Sequence, residues 1–195
     1  MGNREALLEG AKRCLYEKGY ARTTARDIAT AAGTSLAAIG YHYRSTEALL
    51  NAALFQVMQQ WGDEMSKALA TDDLADAGPL ERFEAAWTRI IESFQAHRSL
   101  WSMQLEVVAQ SQHQPEVREQ LAAGLAEARL GLAELFDASP TPASPAVNTA
   151  VGAFHQALLT GVLTQWLIDP EQAPSAADLA LALRRMASSI TPTAG

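Results

Sequence analysis

Residues 23–50 read TTARDIATAAGTSLAAIGYHYRSTEALL, and this stretch decides the fold. Thr24 followed by Asp27 is a capping-box pattern, in which a hydroxyl and a carboxylate satisfy the free N–H groups of a helix start. Ala25, Ile28, Ala29 and Ala32 then recur at helical spacing, giving one apolar face small enough for close packing. Gly33 stands where the chain must turn left-handed, a conformation glycine adopts without steric cost. Ser35 or Thr34 caps a second helix, with Leu36 and Ile39 on its inner face and Ala37, Ala38, Gly40, Tyr41 and His42 on its outer side. Ser45 caps a third start, with Glu47 in the first turn, where the helix dipole favours an anion. Two short helices around a tight turn, feeding a longer one, is the layout of a helix-turn-helix DNA reader.

N-terminal to this stretch, Asn3, Arg4 and Glu5 lead directly into an amphipathic helix with Leu7, Leu8, Ala11, Cys14 and Leu15 on its apolar face. No secretory signal is visible there, so a cytoplasmic location is expected. A single cysteine cannot staple the fold, and Cys14 on that face reads as a buried structural thiol.

C-terminal to it, helices alternate with breakers. A long helix from Ser45 to about Ala70 links the reader to the body, and Asp72 to Gly78 is a polar linker. Pro79 opens a helix in the first-turn position it tolerates, with Phe83, Trp87, Ile90 and Phe94 as its buried stripe. Another helix runs from about Ser99 to Gln110, with Trp101, Leu105 and Val108 along one side, and Pro115 starts one reaching about Phe136. Ser139 to Pro145 is a loop, and Pro145 begins an apolar helix to Ile168. Ser175 with Asp178 caps the last helix, whose stripe is Leu179, Leu183, Met186 and Ile190. The fold class is all-α. A three-helix helix-turn-helix domain (residues 1–50) is joined by a long helix to a helical effector-binding and dimerisation domain (residues 51–195).

From Met1 to about Leu54 the chain resembles the DNA-binding domain of the tetracycline-repressor (TetR) family. The motifs that carry the resemblance are EKGY (Glu17 to Tyr20), TTARDIATAAG, SLAAIGYHY and RSTEALL, in the same order and at the same spacing. The resemblance implies an all-helical homodimer that binds a palindromic double-stranded DNA operator. It also implies a small molecule in the C-terminal domain that changes operator affinity. The resemblance implies DNA contacts from Thr24, Arg26, Tyr41 and His42, with Tyr43 a packed core aromatic, and Ser35, Ala37, Ala38, Gly40, Arg44 and Thr46 complete the expected DNA-contacting set. Two positions depart from the family pattern: Gly40 stands where many members have an aromatic, and Thr46 where they have a lysine. Glycine inside a helix costs ~1 kcal/mol relative to alanine. Gly40 is either a point of close backbone approach to DNA or a tolerated helix-end glycine. Arg44 supplies the phosphate charge that Thr46 lacks.

The outer face of the second helix holds no Arg, Lys, Asn or Gln from Leu36 to Tyr43, so bidentate base reading there is expected to be sparse. Specificity would then come from Arg26, from Ala37 and Ala38 methyls against thymine methyls, and from DNA shape.

Charge follows the same division. Residues 1–50 hold seven Lys/Arg and five Asp/Glu, a net +2, against about −9 in the rest and −7 overall. A small basic head on an acidic body fits a specific reader better than a nonspecific nucleic-acid coat. All four Tyr precede residue 50, while all four Trp and all five Phe follow it. The body is therefore built on large apolar rings, as core or as ligand cavity. Candidate ligand-binding walls are Met58, Trp61, Trp87, Phe94, Trp101, Met103, Phe154 and Trp166, with His97, Gln104 and His155 as polar handles. Composition favours an apolar or aromatic small molecule, and for most of these rings core packing is the competing reading.

No charged residue occurs from Ala138 through Ile168, long enough on paper to span a bilayer. Pro142, Pro145, Asn148, His155, Gln156 and Gln165 interrupt it, and a lipid-facing helix would bury those polar groups unpaired. A dimer interface is expected instead, with Gly152, His155, Leu159, Gly161, Leu183 and Met186 facing a second copy. No membrane partner is expected. His42, His97, His113 and His155 show no metal-ligand spacing, and no nucleophile elbow, Gly-rich phosphate loop or CxxC pair is present. The expectation is a regulator, not an enzyme, with no metal or cofactor. A helix-turn-helix dimer governed by a protein partner, without a small effector, is the alternative.

Overall fold

The computed structural model describes residues 2–69, 77–111, 115–136 and 143–190. All regular elements among them are helices: α1 (Asn3–Lys18), α2 (Ala25–Ala32), α3 (Leu36–Tyr43), α4 (Thr46–Leu69), α5 (Pro79–Ala96), α6 (Arg98–Gln110), α7 (Pro115–Phe136), α8 (Pro145–Ile168) and α9 (Ala176–Ile190). Residues 72–76 of the expected linker and 139–142 of the expected loop lie outside the described residues, as does His113.

The chain divides into two compact units, one comprising Met1–Gly62 with His97–Leu125 and the other Asp63–Ala96 with Ala126–Gly195. In the first unit, α1 packs on α2, α3 and α6 around Leu7, Leu15, Ile28, Ile39, Tyr43, Leu49, Leu54 and Val57. Close approach of α1 and α2 depends on Gly10, where an added Cβ would come within 2.9 Å of both the Cβ and the backbone N of Ala32. Cys14 is buried in this core, and burial pushes its thiol pKa up. Tyr43 is buried as well, and its hydroxyl donates to the Arg4 carbonyl over 2.9 Å.

In the second unit, α5 packs against α8 and α9. Its expected stripe, Phe83, Trp87, Ile90 and Phe94, is buried throughout. The Ser175 and Asp178 capping box is present: Ser175 Oγ donates to Asp178 Oδ2 over 2.6 Å and accepts from the Asp178 N–H over 3.2 Å.

Three faces differ from the sequence reading. Leu36 is 49% exposed rather than inward, because the eight-residue α3 buries only Ile39 and Tyr43 and leaves its first turn in solvent. On α6 the buried set is Leu100, Trp101, Met103 and Val107, while Val108 is 45% exposed. The face that meets the core is the one repeating at positions 100, 103 and 107. On α9 only Ala176 and Ala180 are fully buried, and Met186 and Ile190 are exposed. The helix has moved its small residues, not its large ones, to its most buried positions.

Candidate nucleic-acid interface

The α2–turn–α3 segment is fixed by its caps. Thr24 accepts from the Asp27 N–H over 3.2 Å, and Asp27 Oδ2 accepts from the Thr24 N–H over 2.9 Å and from its hydroxyl over 2.7 Å. The Lys18 ammonium, 2.5 Å from Asp27, ties this cap to the end of α1. Lys18 and then the Thr24 hydrogen bonds hold the Asp27 carboxyl well below the usual carboxylate range. Gly33 ends α2 at φ 63° and ψ 33°, the left-handed turn that aims α3 across it. Ser35 sits at the N-cap of α3 in extended backbone, without a side-chain cap bond. Ser45 Oγ accepts from the Ala48 N–H over 3.0 Å at the start of α4.

These anchors leave a continuous outer stripe on α3. Ser35, Leu36, Ala37, Gly40, Tyr41 and Arg44 are all exposed, and Tyr41 reaches 85%. The Tyr41 and His42 rings meet edge to face at 4.8 Å. An added Cβ at Gly40 would meet nothing within 4 Å, so the protein's own packing does not require a glycine there. Arg44 takes φ 70°, the sole positive φ among described non-glycine residues. Thr24 and Arg26 are exposed at the start of α2, so the structure brings out seven of the ten expected contact residues as solvent-facing groups. The other three, Ala38, His42 and Thr46, are half-buried, and Ala38 packs against the core rather than standing fully on the outer side. Leu36 joins the stripe, a residue that sequence reasoning had turned inward. Its neighbour Ala37 in the same first turn was the available signal.

The expected ligand-binding residues fall into both units. Met58, Trp61, Trp101 and Met103 belong to the first, where Trp61 and Trp101 meet edge to face at 4.8 Å and Met103 is part of the core. Trp87, Phe94, Phe154 and Trp166 belong to the second, where Phe94 and Trp166 pack at 5.7 Å and Phe154 is 48% exposed. Of the polar handles, His97 takes the N-cap position of α6, Gln104 is half-buried, and His155 is buried.

Two of the expected dimer-interface residues lie in the interior of their own protomer. Gly152 is buried against α7 of its own chain, where an added Cβ would overlap the Arg129 carbonyl oxygen. His155 is 7% exposed and stacked on Phe136 at 3.8 Å, so it too serves the interior of its own protomer. Gly161 and Met186 face outward, and Leu159 and Leu183 are half-buried. Among the described helices, α8 alone is long and apolar enough to cross a membrane by length and composition. Its inward side is Gly152, His155, Val162, Leu163 and Trp166, and its Gln156 accepts a 2.7 Å bond from Arg129, a tie characteristic of a helix packed on its own chain. No cluster of metal-binding side chains occurs among the described residues.

Comparison with known proteins agrees with this geometry. Residues 7–53 match the family of bacterial regulatory proteins of the tetR type, and residues 79–191 match the C-terminal domain of BetI-type transcriptional repressors. The chain is 34% identical over 73 residues to the HTH-type transcriptional regulator TtgR of Pseudomonas putida, covering 37% of this chain and 34% of that protein. It is 43% identical over 49 residues to an HTH-type transcriptional repressor of Mycobacterium tuberculosis, covering 25% and 26% respectively. These alignments thus span about a third or less of the relatives they match. Among solved structures, the multidrug binding protein EbrR complexed with proflavin superposes with a TM-score of 0.66 at 20% identity, covering 95% of this chain and 99% of that one. The two family matches together take in α2, α3 and most of the chain from α5 onward, and the chain belongs to the TetR family of transcriptional regulators, with a BetI-type C-terminal domain.

Proposed function

We propose that this chain is a homodimeric repressor of transcription in the cytoplasm, reading a palindromic operator in double-stranded DNA through α2 and α3. A small apolar or aromatic molecule bound in residues 51–195 changes its operator affinity. The observation that carries the reading is the outer stripe of α3, where Tyr41 stands 85% exposed beside Gly40 and Arg44. Tyr41 is exposed together with Leu36 and Ala37 in one stripe, and apolar groups exposed together mark an interaction surface where single ones do not. Arg26 and Arg44 flank the stripe as phosphate-seeking cations, while Ala37 offers a methyl to thymine.

Support for dimerisation comes from the apolar groups left outside on the last two helices. Val147, Phe154 and Ile168 on α8, and Leu181, Met186 and Ile190 on α9, are all exposed. Two reading helices in a dimer must sit about one DNA turn apart to enter successive major grooves. An effector acts as a switch only if it binds dimer shapes of different spacing with different affinity. The complex of EbrR with proflavin, on the same fold, supports an aromatic ligand here.

Fluorescence anisotropy with labelled DNA from immediately upstream of the protein's own gene, in excess unrelated DNA, tests the reading. Binding that resists the competitor, by a dimer, is the expected result. Weak binding that competitor DNA abolishes, at that site and across a genomic fragment library, would overturn it.

A further inference from the structure

In the second compact unit, Phe83, Trp87, Phe136 and His155 form a closed aromatic cluster. Phe136 stacks on the His155 imidazole at 3.8 Å with 6° between the planes, and the Trp87 and Phe136 ring centres lie 6.1 Å apart. Phe83 lies 6.2 Å from Trp87 and 6.0 Å from His155. Two buried polar atoms carried by these rings, Trp87 Nε1 and His155 Nδ1, have no hydrogen-bond partner among the described residues. Both side chains are more than nine-tenths buried, Trp87 completely and His155 at 7% exposure.

Packing alone does not account for that pair. A ring needed only for apolar area can be phenylalanine, as Phe83 and Phe136 beside it are, and phenylalanine leaves nothing unsatisfied. An indole N–H can only donate. Burial pushes the His155 pKa down to about 4, so its imidazole is neutral near pH 7 and offers one donor and one acceptor nitrogen. With the proton on Nε2, Nδ1 accepts. One buried donor and one buried acceptor on rings of the same cluster match a hydroxyl group, which can accept from one and donate to the other. None of the four side chains provides a countercharge, so the arrangement suits an uncharged molecule.

We propose that this cluster is the seat of an uncharged aromatic ligand bearing a hydroxyl, whose oxygen accepts from the Trp87 indole N–H and whose hydrogen is donated to His155 Nδ1. The inference rests on the effector-sensing reading above and names the ligand class and the two residues that select it. Phe83 and Phe136 flank the ligand ring, and the last turn of α7, which carries Phe136, must shift to admit it.

Phenol is the probe, with toluene as the same shape lacking the hydroxyl. Full-length protein labelled with 15N at the tryptophan indoles is titrated with each, and the Trp87 resonance is assigned by its loss in Trp87→Phe. Phenol is expected to move the Trp87 indole N–H saturably and to bind at least about tenfold more tightly than toluene, since a matched hydroxyl leaves no buried group unpaired. His155→Phe is expected to abolish that preference while toluene binding stays. An unmoved Trp87 resonance, or equal affinity for phenol and toluene in the unaltered protein, overturns the proposal, and the second result assigns the two atoms to a trapped water. The comparison in unaltered protein stands even where a variant fails to fold. DNA binding is measured on the same samples. Intact operator binding without the phenol response removes this site and leaves the regulator reading, whereas a phenol response without DNA binding does the reverse.

Discussion

The Tyr20 hydroxyl donates to Asn51 Oδ1 across 2.8 Å in the buried interior of the first unit, joining the turn after α1 to α4 over 31 residues of sequence. That bond fixes the long helix to the reader it supports. Burial, and after it the charges of Glu47 and Glu106, push the Tyr20 pKa up to about 12, so the hydroxyl keeps its proton through the physiological range. Tyr20→Phe leaves the 8%-exposed Asn51 short of a partner. A loss of about 1–3 kcal/mol is expected, read as a lower urea midpoint at unchanged slope.

Arg44 holds φ 70° at the C-terminal end of α3, a conformation costly for any residue with a Cβ. Arg44→Gly should therefore raise thermal stability, by roughly 1 kcal/mol, while weakening DNA binding and flattening its salt dependence by about one phosphate contact. Calorimetry and an anisotropy salt series read the two opposing effects on the same protein. A variant with lower stability and unaltered salt slope would remove Arg44 from the interface.

The two glycines of α8 differ in kind. At Gly152 an added methyl collides with the Arg129 backbone, whereas at Gly161 it meets nothing within 4 Å of its own chain. Gly152→Ala should cost more than the ~1–3 kcal/mol usual for overpacking, because backbone must move. Gly161→Ala should leave the fold unharmed and act only on association. Thermal melts together with sedimentation equilibrium separate these outcomes.

His155 makes stability depend on pH. Its folded pKa of about 4 lies below the ordinary 6.5, so between those values the unfolded chain holds a proton that the folded chain refuses. Stability is then complete above about pH 6.5 and falls as the pH drops toward 4, by up to roughly 3 kcal/mol. His155→Phe should remove this part of the slope, measured by urea unfolding at steps from pH 7 to 4.5.

Much of the fold was legible because its punctuation is chemical and local. Pro115 and Pro145 mark the starts of α7 and α8, and the Thr24–Asp27 and Ser175–Asp178 boxes mark those of α2 and α9. Gly33 marks the left-handed turn. What stayed hidden is which way an apolar helix faces. In α8 no charged residue labels a solvent side, so the sequence could not tell that Gly152 and His155 serve their own protomer while Gly161 and Phe154 look outward. The same ambiguity misplaced Leu36, whose helix is too short to bury its first turn. The orphaned Trp87 and His155 atoms depend on neighbours distant in sequence, and periodicity carries no trace of them.

The central claim is that the exposed stripe of α3 reads DNA, and Tyr41→Ala tests it most directly. Tyr41 is 85% exposed, so its removal should leave the melting temperature within about 1 °C of the unaltered protein. The account predicts that this variant, titrated by anisotropy against the operator, loses at least about tenfold in affinity. Unchanged operator affinity in a fully folded Tyr41→Ala protein would contradict it.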